Sequence, residues 1–154
     1  MLTIRHATFK DSSALADLHL RQLGQPALSD GDANHYQTAF ATFLDRALSG
    51  GNWTVWVAGD EQQLLLALYL VMLRRLPHPT RRDAPVGILT QLDALPAALD
   101  ESVMLPVLRN LINWCRSQGL GMIHISPWLP VLPFYQKLGF QRCDRALLLE
   151  LERE

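Results

Sequence analysis

The chain has 154 residues, 49% apolar and 19% charged, which is enough apolar surface to offset chain entropy in one globular domain of ordinary size. Two full domains and a mainly disordered chain are excluded. Fourteen basic against fifteen acidic side chains leave a net charge of -1, so the basic excess of a dedicated nucleic-acid binder is missing.

The longest apolar run, Leu64 to Leu73, is about half the ~20 residues of a membrane-spanning helix and reads as a buried strand. No secretory pattern follows Met1. Cys115 and Cys143 are too few for a disulfide framework and lack metal-ligand spacing. The expectation is a cytoplasmic protein of residues 1–154 forming one domain, with no structural metal, no membrane partner and no nucleic-acid partner.

In chain order, Leu2 to His6 alternates as a short strand. Asp11 caps a helix with Leu15 and Leu18 at helical spacing and Gly24 as its stop. A second helix is expected from about Asp32 to Ser49, with Tyr36, Phe40, Phe43, Leu44 and Ala47 on one core-facing stripe. Trp53 to Val57 and the run from Leu64 form a hairpin about the turn at Gly59 to Gln62. A proline-bearing loop follows, then a strand from Val86.

Met104, Val107, Leu108, Leu111, Ile112 and Cys115 form the stripe of a helix from about Glu101 to Ser117, in which Pro106 is tolerable only in the first turn. Met122 to Ser126 reads as a strand, Val131 to Leu138 as a short helix, and Phe140 to Cys143 and Ala146 to Leu151 as two last strands. The order β-α-α-β-β-β-α-β-α-β-β defines an α/β fold, a mixed central sheet of about seven strands with helices on both faces. Arg74, Arg75, Arg81 and Arg82 crowd the loop around His78, either as solvated charge or as a rim attracting an anion.

Phe134-Tyr-Gln-Lys-Leu-Gly-Phe140 resembles the C-terminal signature of the GNAT superfamily of N-acetyltransferases, and the element order is similar to that family's. The resemblance implies acetyl-CoA as acyl donor, held where the strands Val86 to Ala94 and Met122 to Ser126 splay apart. Backbone groups at Leu92 and Ala94 would pair with the pantetheine amides, as in the family's Leu-x-Val-x-Pro pattern, here Leu92-Asp-Ala-Leu-Pro96. The acceptor implied is a small-molecule or peptide amine, and a homodimer through the last strands stays open.

By the same resemblance Tyr135 is the general acid that protonates the departing thiolate. A phenol pKa near ~10 normally exceeds a thiol's, at ~8.5. Asp93 is the carboxylate nearest the expected centre and the candidate base. His124 faces away from Ile123 and Ile125 and reads as a hydrogen-bonded core histidine rather than a base, and His19, His35 and His78 show no partner spacing. Ser102, Val103, Met104, Trp128 and Lys137 are the remaining positions implied to hold the cofactor.

The phosphate segment departs from the family pattern. Where the family has Arg/Gln-x-x-Gly-x-Gly/Ala, this chain has Leu99-Asp-Glu-Ser-Val-Met104, and Trp128 stands where an Asn is common. Asp100 and Glu101 place two carboxylates at the expected phosphates, a repulsion of about 1–4 kcal/mol, or about one to three decades in affinity. Asp100 serves equally as an N-cap. The phosphates could instead meet Arg109 or the Arg74 to Arg82 cluster. Three readings remain: an N-acetyltransferase using acetyl-CoA, a GNAT-fold binding or regulatory module that no longer uses acetyl-CoA, and a transferase whose acyl donor lacks the CoA nucleotide and needs fewer phosphate contacts.

Overall fold

A computed structural model describes residues 1–24 and 27–152. Strands β1 (Thr3–His6), β2 (Trp53–Gly59), β3 (Leu64–Leu73), β4 (Val86–Ala94) and β5 (Met122–Ile125) form one sheet in that spatial order, antiparallel except for the parallel pair β4–β5. The helices are α1 (Ser12–Leu23), α2 (Asp30–Ser49), α3 (Glu101–Ser117) and α4 (Leu132–Lys137). No helix among the described residues is long and apolar enough to cross a membrane.

Alternation along β3 divides the core. Leu66, Leu68 and Leu70 pack with Met104, Val107, Leu108 and Tyr135 under α3 and α4, whereas Ala67 and Tyr69 pack with Leu15, Leu18 and Leu44 under α1 and α2. Helices therefore cover both faces, and the parallel crossover from β4 to β5 runs through α3.

Asp11 stands at the N-cap of α1, and Gly24 ends that helix in the left-handed conformation (φ 64). Ser29 rather than a later residue caps α2, since its hydroxyl accepts the Asp32 N–H at 3.2 Å, so the helix starts two residues before the expected Asp32. Pro106 is a second correction. Because α3 begins at Glu101, Pro106 lies beyond the first turn and removes the intrahelical donor to the Ser102 carbonyl. Ser102 is exposed, so water can take that carbonyl.

Five strands are present among the described residues, not seven, and the order stops at β-α-α-β-β-β-α-β-α, because residues 140–151 form no strand. The reason lies in the missing cover. Leu147, Leu148 and Leu149 are consecutive, so a strand there would show apolar side chains on both faces. Beside β5 only the α3/α4 face is covered; Met122 and His124 on the other face are exposed, so His124 faces away from Ile123 and Ile125 as its alternation requires but is not the core histidine expected. The leucines of this segment are correspondingly open to solvent.

Candidate active site

The parallel pairing of β4 with β5 ends at Leu89 opposite Ile125, while β4 runs on to Ala94. Residues 90–94 thus have no neighbouring strand on that side among the described residues, which leaves a gap in the sheet. Just where the strands part, β4 carries a bulge: Leu70 faces Leu89 and Tyr69 faces Gln91, so Thr90 is the extra residue. Its hydroxyl donates to the Tyr69 carbonyl at 3.1 Å. Thr90 and Gln91 then both line a cavity on the α1/α2 side.

Beyond the bulge the register sets Leu92 and Ala94 toward α3 and α4, and Asp93 toward α1. Asp93 is fully buried. Both its oxygens lie against His19 Nδ1, at 3.0 and 3.1 Å, and Oδ1 also accepts from Gln91 Nε2 at 2.8 Å. A carboxylate only accepts, so Nδ1 carries the proton and the neutral ring keeps its lone pair on Nε2. The bond to Asp93 holds the His19 pKa above its usual 6.5, against the opposing effect of burial. One helical turn further along α1, Gln22 Oε1 accepts the Ala94 N–H at 3.1 Å.

His19 was not singled out in the sequence. Its partner is 74 residues away, but Leu15, Leu18, His19 and Gln22 fall at i, i+3, i+4 and i+7, so the histidine lies on the stripe of α1 that faces the sheet. Asp93, with no exposed surface, reaches an incoming molecule only through His19, whose side chain is 25% exposed.

The cavity beside His19 measures about 460 Å³. Tyr36, Phe40, Phe43, Trp53 and Tyr69 line it with ring centroids 5.3–6.5 Å apart. The stripe expected on α2 is thus divided: Leu44 and Ala47 are buried in the core, whereas Tyr36, Phe40 and Phe43 overhang the cavity. The hydroxyls of Tyr36 and Tyr69 are sealed from solvent and have no hydrogen-bond partner. Burial, with Asp93 close by, pushes both phenol pKa values up.

On the opposite face, Tyr135 is 2% exposed and packs edge-on against Phe140, with centroids 5.4 Å apart. The spacing of the heptapeptide follows from how α4 ends. Gly139 takes φ 96, its N–H bonds to the Gln136 carbonyl at 3.1 Å, and the Phe140 N–H returns to the Tyr135 carbonyl at 3.1 Å. That Schellman arrangement brings Phe140 onto Tyr135. Burial raises the Tyr135 pKa well above 10, so the phenol keeps its proton.

At the start of α3, Asp100 is the N-cap and its Oδ1 accepts the Ser102 N–H at 2.9 Å. The N–H groups of Val103 and Met104 both bond to the Asp100 carbonyl, at 3.1 and 2.8 Å. The Met104 side chain is fully buried, and Lys137 pairs with Glu101 across to α4. Trp128 is 43% exposed at the turn before α4. The loop holding Arg74 to Arg82 joins Leu73 to Val86, at the sheet end opposite Ala94, where α3 begins.

A test of fit for acetyl-CoA therefore divides. The edge of β4 that no strand pairs suits an extended amide-bearing arm at Leu92, whereas the Ala94 N–H is already bonded to Gln22. The N-terminus of α3 does not suit a pyrophosphate, since its amides are bonded internally and its nearest charges are carboxylates.

Neither a protein-family model nor a curated relative matches the sequence. Solved structures do. The chain is similar to a predicted acetyltransferase from Clostridium acetobutylicum with acetyl-CoA, at 23% identity over 98% of this chain and 97% of that one, TM-score 0.79. It is similar to glucosamine-6-phosphate N-acetyltransferase from Arabidopsis thaliana, at 15% identity over 99% of both chains, TM-score 0.76. An acetyltransferase from Trypanosoma brucei matches at 22% identity over 98% of this chain and 100% of that one, TM-score 0.72. The fold is that of the GNAT acetyltransferases.

Proposed function

We propose that the protein is an N-acetyltransferase that moves an acetyl group from acetyl-CoA to an amine bound on the α1/α2 side of the sheet. The observation that carries this reading is the His19–Asp93 pair at the β4 gap, in a fold shared with acetyltransferases. Acetyl-CoA supplies a thioester carbonyl; the open β4 edge at Leu92 offers backbone for its pantetheine arm, while the Ala94 N–H is held by Gln22.

His19 Nε2 takes the proton from the acceptor ammonium. Asp93 holds the ring with Nδ1 protonated and stabilises the imidazolium that forms. The freed amine nitrogen bonds to the acetyl carbon as the carbon–sulfur bond breaks, and the second proton that the nitrogen must lose to become an amide passes to water. Tyr135, on the far face of the gap and holding its proton until the thiolate forms, gives it to the departing sulfur and regains one from water after the product leaves. This chemistry needs no covalent enzyme intermediate. Asp93, the carboxylate expected as base, acts here by positioning His19.

A second reading, a GNAT-fold binding or regulatory module that does not use acetyl-CoA, is supported by the self-capped N-terminus of α3. Thermal unfolding separates the two. Acetyl-CoA at a hundred times its dissociation constant adds about 2.7 kcal/mol, a shift of several degrees for a chain of this size. A shift supports the transferase; no shift at millimolar acetyl-CoA supports the module.

A further inference from the structure

The aromatic cavity has properties that narrow the acceptor. Its volume of about 460 Å³ lies toward the lower end of the about 300–1,000 Å³ usual for small-molecule sites, which favours a compact ligand over a peptide or oligosaccharide. No Lys or Arg lines it. Asp93 stands directly behind His19 and Gln91, and Asp17, bonded to Gln37 at 3.0 Å, is near enough to Tyr36 to disfavour its ionisation. Both carboxylates favour a cationic guest and oppose an anionic one.

The two orphaned hydroxyls point the same way. Tyr69 is 96% buried by its 4% exposure, and a sealed phenol without a partner is costly unless a ligand completes it. A primary ammonium has three N–H donors. His19, Tyr36 and Tyr69 carry three acceptors on residues of one cavity, and Phe40, Phe43 and Trp53 line the same cavity with aromatic surface for whatever the nitrogen carries.

We infer that the acceptor is a small arylalkylamine: a primary amine on a short chain bearing one aromatic ring and no carboxylate, its nitrogen seated among His19, Tyr36 and Tyr69. This rests on reading the site as an amine-acceptor site, and it names the class of amine.

Calorimetric titration of the full chain, with and without CoA, tests it with three probes: 2-phenylethylamine, L-phenylalanine and spermidine. The expected result is binding of 2-phenylethylamine, with L-phenylalanine and spermidine at least about tenfold weaker, because one adds a carboxylate near Asp93 and the other lacks a ring. Tyr69→Phe and Tyr36→Phe should each weaken 2-phenylethylamine about three- to tenfold without lowering the thermal midpoint, since each removes an unpaired hydroxyl and keeps the ring.

Equal binding of L-phenylalanine or spermidine, or no binding of 2-phenylethylamine at millimolar concentration, overturns the inference. If 2-phenylethylamine binds as expected while no amine releases thiol from acetyl-CoA, the transferase reading falls and the ligand class stands. If other amines are acetylated and 2-phenylethylamine does not bind, the ligand class falls and the transferase stands.

Discussion

Asp93 and Asp100 are carboxylates seven positions apart in sequence, yet the fold treats them differently. Asp93 is sealed in the sheet and fully partnered by His19 and Gln91. Asp100 is exposed and caps α3, and its neighbour Glu101 pairs with Lys137. Burying a carboxylate is costly unless every oxygen is paired, whereas an exposed N-cap is favourable by itself. The α1/α2 side of β4 therefore carries an expensive, specific arrangement; the start of α3 carries an ordinary helix end. In the proposed transferase the acceptor half of the site is built out, and the nucleotide half relies on the strand edge.

Loss of the base should break that contrast most strongly. His19→Gln keeps a donor for Asp93 but removes the proton acceptor, and should lower kcat/KM for acetyl transfer by about 10²–10⁴-fold, with the thermal midpoint nearly unchanged. Unaltered steady-state kinetics would remove His19 from the chemistry. On the opposite face, Tyr135→Phe should lower kcat by about 10²-fold and leave the acetyl-CoA-dependent thermal shift intact; loss of the shift instead would make Tyr135 a binding residue.

Asp100→Asn sharpens the other side of the comparison. Asn caps a helix about as well as Asp, so stability should change by less than about 0.5 kcal/mol, while removal of the charge should tighten acetyl-CoA about tenfold. Calorimetry reads both quantities; unchanged affinity would mean that the phosphates lie elsewhere.

The subtlest effect is in pH dependence. Because the folded pKa of His19 is raised above 6.5 by Asp93, kcat/KM should rise with pH through a midpoint above 6.5, and Asp93→Asn should move that midpoint down. Stability runs the other way. The contribution of the pair is complete below the unfolded value of about 6.5 and is lost as pH climbs through the folded one. The pair thus supports the fold most where the imidazole is protonated and unable to accept a proton.

Local patterns carried most of the fold. The apolar run Leu64 to Leu73 and the stripe from Met104 to Cys115 each specify an element from neighbours within a few residues, and α3 spans Glu101–Ser117 as its periodicity demands. The last two strands depended on cover that the helices do not supply beside β5, a tertiary fact that the leucine run 147–149 cannot reveal. Pro106 was misjudged because exposure of Ser102 makes a missing helix bond tolerable.

The site was legible to a lesser degree. Asp93 was visible as the carboxylate nearest the expected centre, and the Asp100 cap from capping preference. His19 was hidden because its partner lies across the fold, although its place on the buried stripe of α1 marked it as a histidine facing the sheet. The bulge at Thr90, which turns two consecutive residues to the cavity, leaves no mark in composition.

The most direct measurement is release of free thiol from acetyl-CoA by the wild-type chain and by His19→Gln, side by side, across a panel of primary amines from pH 6 to 9. Transfer from the α1/α2 side predicts amine-dependent thiol release by the wild type that rises with pH and is nearly abolished in the variant. Amine-dependent release at equal rates in both proteins, or none in either, would contradict it.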